Sequence, residues 1–217
     1  EGRILKVEIL DINKQNNILE KDDNLRGFYD RSKKKILIED KLFQISLEGF
    51  HNAKNFMFAY AVGKEFNINF KCLNKFDFVS SVGRNRIIKT GKTTIYDESY
   101  NSSPESMKAC IENLLEKPKN RFLIFGSMKE LGNKAEDYHQ EIFDFIKKSD
   151  IEKCLFICDK KDVFNYSNNI KDNKKFLFFN NINNLAETIN RFTSKGDSIL
   201  IKGSRYWQLE KIIKSIN

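Results

Sequence analysis

Three short polar segments contain the residue types that could carry out chemistry in this sequence. They are Asp97 to Ser103, Gly126 to Gly132 and Lys202 to Arg205, and each follows a short apolar run. Together they supply carboxylates, hydroxyls, a lysine and an arginine, with glycines that allow sharp turns. Such groups suit an anionic or zwitterionic ligand. Ordinary strand-to-helix loops have a similar composition, so the pattern alone leaves both interpretations open.

The stretch from Thr93 to Leu115 predicts how the first of these segments is positioned. Thr93 to Tyr96 is β-branched and apolar and predicts a strand. Pro104 predicts the first helical position and Ser103 its N-cap. The stretch is therefore interpreted as strand, acidic turn and helix. Apolar residues at helical spacing give this helix one buried face: Met107, Cys110, Ile111, Leu114 and Leu115.

Short continuous apolar runs alternate with helical patterns after residue 100. Such runs are typical of parallel strands that are covered on both faces. The alternation predicts an α/β fold with a doubly wound, mostly parallel sheet and flanking helices. Because parallel strands share a direction, we expect all three polar segments at one edge, where ligands of such sheets bind. The runs are Phe122 to Phe125, Cys154 to Cys158, Phe176 to Phe179 and Ile199 to Ile201.

The first eighty residues follow another pattern. We predict a strand over Arg3 to Leu10 and a hairpin whose turn is Glu39 to Lys41. A helix is predicted over His51 to Phe66, and its apolar residues nearly encircle it, which predicts burial on most sides. A second short helix is predicted over Phe70 to Phe78. The small polar segment Ser80 to Arg84 is interpreted as a domain junction.

Composition limits the classes of protein that this sequence could form. The chain has 217 residues and a net charge of +8, with scattered lysines that give little support to a nucleic-acid interface. No apolar run reaches the roughly 18 residues that a membrane span needs, and no signal peptide is seen, so a cytoplasmic location is expected. The four cysteines form no C-x-x-C pair and are interpreted as free thiols, most of them buried.

Two features could suggest a phosphate-binding loop or a metal site, but their spacing does not fit either. Gly91-Lys92-Thr93 is similar to the end of a phosphate-binding loop, but that motif requires glycine where Arg86 stands. The two histidines, His51 and His139, lie in no metal-ligand spacing and are interpreted as satisfied polar residues. The sequence therefore predicts neither a metal site nor a cradle for a triphosphate.

Five motifs occur in the order and at the spacing found in the Mur ligases, which this sequence resembles from Gly49 to its end. The family signatures are similar to GRHN, GR, DDSYNANPDSM, GDMxELG and KGSR. The resemblance is strongest to the branch that joins D-Ala-D-Ala to a UDP-N-acetylmuramoyl tripeptide. The matching motifs here are Gly49-Phe50-His51-Asn52 with Asn55, Gly83-Arg84, Asp97 to Met107, Gly126 to Gly132 with His139, and Lys202-Gly203-Ser204-Arg205.

The resemblance implies an architecture and a reaction. Residues 1–82 would be the tail of a central ATPase domain, and residues 83–217 a Rossmann-like C-terminal domain. ATP with Mg²⁺ would phosphorylate the carboxylate of the UDP-N-acetylmuramoyl tripeptide, and the amine of D-Ala-D-Ala would attack the acyl phosphate, a step of peptidoglycan precursor synthesis. The phosphate-binding loop and the magnesium ligands would lie outside this sequence. This chain alone is therefore expected to be inactive. The protein is expected to be a monomer.

The resemblance also implies roles for individual residues. Arg84 is the catalytic candidate, because it would reach the ATP phosphates as the domains close. The nucleotide-binding candidates are His51, Asn52 and Asn55 near the adenine and Asp97 and Glu98 near the ribose. The substrate-binding candidates are Tyr100, Asn101, Ser103, Lys202, Ser204 and Arg205.

Three departures from the family pattern keep an alternative open. Glu98 and Ser127 stand where aspartate is usual, and Ser102-Ser103 stands where Ala-Asn is usual. The alternative is a non-catalytic relative that keeps the fold as a nucleotide-binding, peptide-binding or partner module. A phosphate-binding motif upstream in the same gene would favour the ligase, and its absence would favour the alternative.

Overall fold

The computed structural model describes residues 6–11, 25–46, 49–70, 81–118, 120–170 and 174–216. The chain divides into two compact units, Glu1–Val79 and Ser80–Asn217. Most of the helix predicted over Phe70 to Phe78 lies outside the described residues. The assignment of residues 1–82 to a central ATPase domain stays a prediction.

The first unit is a four-stranded sheet with one helix packed on it. The strands follow one another in space as they do in sequence, with β1 and β2 parallel and the other pairs antiparallel. Glu39 and Asp40 turn between β3 and β4 with positive φ angles, which confirms the predicted hairpin. The elements are β1 (Val7–Asp11), β2 (Leu25–Asp30), β3 (Lys35–Ile38), β4 (Lys41–Gln44) and α1 (Phe50–Glu65).

The helix α1 is buried on one side only, so the prediction that it is buried on most sides is wrong. Ala53, Met57 and Tyr60 pack into the core of the first unit. Gly27 of β2 allows this close packing, since a Cβ there would lie 2.3 Å from the Met57 sulfur. Phe58 and Val62 on the other side remain exposed, because the sheet covers one face of the helix.

The second unit is a six-stranded sheet flanked by helices. Five strands are parallel, and β5 pairs antiparallel with β6 at one edge. The spatial order is β5-β6-β10-β7-β8-β9. The strands are β5 (Arg86–Lys89), β6 (Thr94–Glu98), β7 (Arg121–Gly126), β8 (Lys153–Ile157), β9 (Phe176–Phe179) and β10 (Ser198–Lys202), and the helices are α2 (Pro104–Leu115), α3 (Ala135–Lys148), α4 (Lys160–Asn169) and α5 (Leu185–Phe192).

Successive side chains of the central strands enter different cores, as the pleat requires. Leu123 and Phe125 of β7 pack with residues of α2 and α3, whereas Phe122 and Ile124 pack with α5 and the C-terminal segment. The sheet is thus covered on both faces, which confirms the predicted α/β class. The C-terminal segment Leu209–Ser215 is a 3-10 helix where an ordinary helix was expected.

Three described cysteines, Cys110, Cys154 and Cys158, are free and buried, as predicted. Burial raises the pKa of Cys110 to about 12. These thiols therefore belong to the apolar cores.

Candidate functional site

The three polar segments meet at the carboxyl edge of the six-stranded sheet, as the sequence predicted. They follow β6, β7 and β10, which are neighbours and run parallel. The chain leaves β6 and β7 for helices on one face of the sheet, but leaves β10 for the C-terminal segment on the other. Strands whose connections diverge in this way open a crevice, and this is the usual ligand site of open α/β sheets.

Two glycines bring the segments after β7 and β10 together. A Cβ on Gly203 would lie 2.7 Å from the Gly126 Cα, and a Cβ on Gly126 would lie 2.7 Å from the Trp207 ring. The Trp207 indole N–H donates to the Ser127 carbonyl at 3.0 Å, and its distance to the Ser127 hydroxyl is 3.2 Å. Ser127, one of the three departures, therefore has a partner inside the fold.

The turn after β6 is fixed by the cap of α2. The Ser103 hydroxyl accepts from the Ser106 N–H at 3.3 Å, and the Ser106 hydroxyl accepts from the Ser103 N–H at 2.9 Å. This reciprocal pair confirms the predicted N-cap. The Ser103 side chain is thus engaged in holding the helix, and its predicted contact with substrate stays a prediction.

Asp97 is fully buried and joins two turns. Its carboxylate accepts from the Gly83 N–H at 3.2 Å, the Ser99 N–H at 3.2 Å and the Ser99 hydroxyl at 2.6 Å. The Gly83 carbonyl in turn accepts from the Tyr100 N–H at 2.9 Å. Gly83 has φ of 78°, and a Cβ there would lie 2.8 Å from the Tyr100 nitrogen. The geometry therefore supports a positioning role for Asp97.

Arg84 follows Gly83, whose hydrogen bonds to Asp97 and Tyr100 place Arg84 beside the turn after β6. Its guanidinium carbon lies 4.0 Å from the centre of the Tyr100 ring, and that of Arg205 lies 5.7 Å from the same centre. Both arginines are exposed, and Arg205 also donates to Glu210 at 2.7 Å. Two guanidinium groups thus converge on one exposed tyrosine, which gives the crevice a positively charged rim.

Glu98 and Lys202 occupy paired positions at the ends of β6 and β10. Burial raises the pKa of Glu98, whereas the positive charges of Lys202 and Arg84 oppose this rise. The buried Lys202 ammonium donates to the Asn101 carbonyl at 3.0 Å. The half-buried carboxylate of Glu98 therefore lies close to two positive charges, next to the turn that Lys202 holds.

Ser102 is a residue that motif matching did not select as a site candidate. It is 8% exposed, and its hydroxyl is buried without a hydrogen-bond partner in the described structure. A buried hydroxyl usually has a partner, because leaving it unpaired costs free energy. Ser102 therefore offers an unused hydrogen-bonding group beside the cap of α2, and its sequence context gave no signal of this.

The other loops at this edge are fixed by hydrogen bonds inside the fold. The buried His139 accepts from the Met128 N–H at its Nε2 (2.8 Å), so its Nδ1 bears the proton and donates to the Ala135 carbonyl (2.6 Å). These two hydrogen bonds confirm His139 as a satisfied polar residue, and burial lowers its pKa. Ser204 is buried at the start of the 3-10 turn Arg205–Trp207.

The predicted adenine-side residues lie at the amino-terminal end of α1 in the first unit. His51 and Asn52 are half-buried and Asn55 is exposed. Their role in nucleotide binding stays a prediction.

In the described part of the chain, no three histidine, cysteine, aspartate or glutamate residues come together as a metal site would require. No helix of that part has the length and apolar character needed to cross a bilayer.

Comparison with known families identifies the family to which the second unit belongs. A family model described as Mur ligase, glutamate ligase domain, matches residues 83–205. The matched segment covers more than half of the chain and includes all three polar segments. This chain therefore belongs to the Mur ligase family.

Two curated relatives match most of the chain. The UDP-N-acetylmuramoyl-tripeptide–D-alanyl-D-alanine ligase of Bacillus subtilis is 32% identical over 184 residues, which cover 82% of this chain and 40% of that ligase. The ligase of the same name from Rickettsia prowazekii is 34% identical over 154 residues, which cover 70% and 33%. The chain thus spans less than half the length of either relative.

Solved structures share the architecture. The MurF ligase of Thermotoga maritima, crystallised with ADP, has a TM-score of 0.68 at 21% identity and is covered over 48% of its length by 88% of this chain. MurF from Acinetobacter baumannii has a TM-score of 0.72 at 17% identity, with 47% and 89% covered. At these identities the likeness confirms the fold.

Proposed function

We propose that this chain is part of an ATP-dependent ligase that joins D-Ala-D-Ala to a UDP-N-acetylmuramoyl tripeptide in the cytoplasm, as a monomer. The observation that carries the proposal is the crevice between β6, β7 and β10, where the motifs that match this ligase branch converge. The names of the relatives at 32% and 34% identity support the same substrates. In this proposal residues 1–82 belong to the central domain and residues 83–217 form the C-terminal domain.

The proposed reaction has two steps. The γ-phosphoryl group of ATP passes to the tripeptide carboxylate, and ADP leaves. The dipeptide amine then attacks the carbonyl carbon of the acyl phosphate, inorganic phosphate leaves and the nitrogen loses a proton. Such chemistry depends mainly on positioning and on compensation of negative charge.

The residues at the crevice suit different parts of these substrates. Arg84 is exposed beside Tyr100, and a guanidinium can hold two phosphate oxygens at once. Glu98 is half-buried at the strand end and can accept from ribose hydroxyls. We assign Asn101 and Lys202 to holding this turn, since they bond to each other.

Mg²⁺ would neutralise charge on the ATP phosphates in this reaction. The described residues gather no three-ligand cluster for it, so we propose that its ligands belong to the part of the ligase outside this sequence. The residues described above contribute the rim of the nucleotide site, not the metal site.

The decisive experiment uses the full polypeptide that the gene encodes. Purified with Mg²⁺, ATP, D-Ala-D-Ala and UDP-N-acetylmuramoyl tripeptide, it should yield a product with the mass of the ligated pentapeptide and an equal amount of phosphate. Arg84→Lys keeps the charge but loses the planar fork. We expect a fall in turnover of roughly 10²–10³, as for loss of a group aimed at developing charge.

Two results would contradict the proposal. A full polypeptide that binds ATP but forms no product would favour the non-catalytic relative. Near wild-type turnover by Arg84→Lys, with an unchanged melting temperature, would reduce Arg84 to a residue that pins the segment before β5.

A further inference from the structure

Basic side chains are concentrated at one end of the second unit, where its five parallel strands begin. Ser198 of β10 pairs with Thr94 of β6 and Arg121 of β7, so these strands start at one level. We call this end the amino edge; it comprises the segments that lead into the strands and the carboxyl-terminal ends of the helices. Its described basic residues are Lys89, Lys92, Lys117, Arg121, Lys147, Lys148, Lys153, Lys174, Lys175, Arg191 and Lys195. Its described acidic residues, with the Arg191 ion-pair partner included, are Glu116, Asp150, Glu152, Glu187 and Asp197.

Hydrogen bonds join helix ends to strand starts at the amino edge. The Arg121 Nε–H donates to the Lys117 carbonyl after α2 at 2.8 Å, and the Lys175 ammonium donates to the Ser149 carbonyl after α3 at 2.5 Å. Carbonyls at a helix end carry roughly half a negative charge, so the ends of α2, α3, α4 and α5 offset about two positive charges. Basic residues outnumber acidic ones by six, so the amino edge remains positive.

The opposite end of the same sheet, at the crevice, has balanced charge among its described residues. The basic residues there are Arg84, Arg86, Lys129, Lys134, Lys160, Lys161, Lys202 and Arg205. The acidic residues there are Asp97, Glu98, Glu105, Glu130, Glu136, Asp137, Asp159, Asp162 and Glu210. The fold therefore gathers at the amino edge lysines that are scattered along the sequence. A partner held at the amino edge would leave the crevice open to substrates.

An exposed phenylalanine lies within the amino edge. Phe192 at the end of α5 is 40% exposed, and the Lys153 Nζ lies 5.3 Å from the centre of its ring. Lysines around an exposed aromatic ring are typical of surfaces that lie on a membrane. The ring can enter the boundary between headgroups and acyl chains, while the ammonium groups stay among the phosphates.

We propose that the amino edge binds the surface of membranes that contain anionic phospholipids. Nine of its eleven basic residues are lysines, whose compact charges suit a diffuse layer of lipid headgroups. Arginine, which grips phosphates and bases with a planar fork, is the residue that nucleic-acid recognition favours. Binding of this kind needs no membrane-spanning helix. From the proposed function the inference takes only the cytoplasmic location, because the cytoplasmic leaflet carries a negative surface potential.

The test is cosedimentation of the full polypeptide encoded by the gene with lipid vesicles. The vesicles contain phosphatidylcholine alone, or equal parts of phosphatidylcholine and phosphatidylglycerol. The edge variant replaces three exposed lysines of the amino edge: Lys148→Gln, Lys174→Gln and Lys195→Gln. The control variant makes the same change of charge at three exposed lysines of the opposite end: Lys134→Gln, Lys160→Gln and Lys161→Gln.

Wild type should bind the anionic vesicles at low salt, release them at high salt and ignore phosphatidylcholine alone. The edge variant should lose at least about tenfold in partition coefficient, because each lysine near an anionic surface contributes roughly a fivefold factor. The control variant should bind like wild type. Phe192→Ser should also weaken binding, although it leaves the net charge unchanged. Melting temperatures show that each variant is folded, and if the edge variant is not, its three single substitutions should each cause a smaller loss.

Several outcomes would overturn the inference. Wild type that does not bind anionic vesicles at low salt would remove the proposed partner. Equal losses in the edge and control variants would show that net charge, not the amino edge, decides binding. Random-sequence duplex DNA that binds more tightly than the vesicles at the same salt would make nucleic acid the partner. Because vesicle binding needs no turnover, a polypeptide that binds vesicles without ligase activity would contradict only the proposed function.

Discussion

At the scale of single residues, adjacent serines at the start of α2 have opposite situations. The Ser103 hydroxyl is part of the cap, whereas the Ser102 hydroxyl is buried and unpaired. Ser103 therefore stabilises the start of α2 through its side chain, whereas burial of the unpaired Ser102 hydroxyl costs free energy.

This contrast gives a prediction for the two alanine variants. Ser103→Ala should lower the free energy of unfolding by about 1 kcal/mol through loss of the cap. Ser102→Ala should leave it unchanged or raise it by up to about 1 kcal/mol, because an unsatisfied hydroxyl is removed. Urea unfolding of the 217-residue chain measures both. In the full polypeptide, Ser102→Ala should leave turnover close to wild type, because alanine is usual at this position in the family. A larger loss of stability from Ser102→Ala than from Ser103→Ala would contradict this assignment.

The stacking of Arg84 on Tyr100 makes a second prediction at this scale. The ring restrains an exposed guanidinium through a cation–π contact of about 0.5–1 kcal/mol. Tyr100→Phe keeps the ring and should leave the nuclear relaxation of the Arg84 Nε–H unchanged, whereas Tyr100→Leu should increase its mobility. Tyr206→Leu, at another exposed tyrosine, is the control. Equal mobility in Tyr100→Leu and wild type would show that the ring does not position Arg84.

At the scale of elements, the loop after β7 is held to α3 by one histidine. His139 bonds to the Met128 N–H and to the Ala135 carbonyl, and burial lowers its pKa. Below about pH 6.5 the unfolded chain binds a proton that the folded chain resists. The free energy of unfolding should therefore fall as the pH drops from 7 towards 5.

The matching variant is His139→Ala. It leaves the buried Met128 N–H unpaired, at a cost of about 1–3 kcal/mol, and should weaken the pH dependence in that window. His51→Ala removes the only other histidine and should preserve this dependence. Urea unfolding at several pH values measures all three proteins. An unchanged pH dependence in His139→Ala would show that the histidine is not responsible.

The elements that sequence predicted well are those with local signals. Buried parallel strands are continuous apolar runs, and Ser103 and Pro104 predict the start of α2. The 3-10 helix Leu209–Ser215 was predicted as an ordinary helix because periods of 3.0 and 3.6 residues barely differ over seven positions. The exposure of α1 was not predicted, because the apolar pattern of a helix does not indicate which of its sides other residues of the chain cover.

The sequence predicted where the three polar segments meet in the sheet, whereas the roles of the individual residues stay predictions. The common direction of parallel strands placed three loops at one edge. Asp97 and Glu98 are both predicted as ribose-side acids, and this stays a prediction; as neighbours on a strand, their side chains face opposite sides. Asp97 accepts hydrogen bonds from Ser99, two residues away, and from Gly83, 14 residues away, and Ser127 lies at hydrogen-bond distance from Trp207, 80 residues away. The pairs with Gly83 and Trp207 leave no local sequence signal.

At the scale of the whole molecule, the distribution of groups predicts how this chain behaves alone. Its crevice supplies Arg84, Glu98 and hydroxyl groups, but its sequence contains no phosphate-binding motif of the type G-x-x-x-x-G-K-[ST]. Phosphoryl transfer requires the phosphates, the metal and the acceptor to be held together. We therefore expect the purified 217-residue chain to neither hydrolyse ATP nor form an amide bond.

Phosphate release and product mass, measured against a heat-inactivated sample, test this expectation. The full polypeptide serves as the positive control under the same conditions, so a silent assay cannot be mistaken for an inactive chain. Adding back only D-Ala-D-Ala and the UDP-linked tripeptide should change nothing, because these substrates do not supply the missing phosphate cradle. ATP turnover by the 217-residue chain above the inactivated sample would mean that a phosphate site exists within it, and the proposal that the phosphate-binding part of the ligase lies outside this sequence would be wrong.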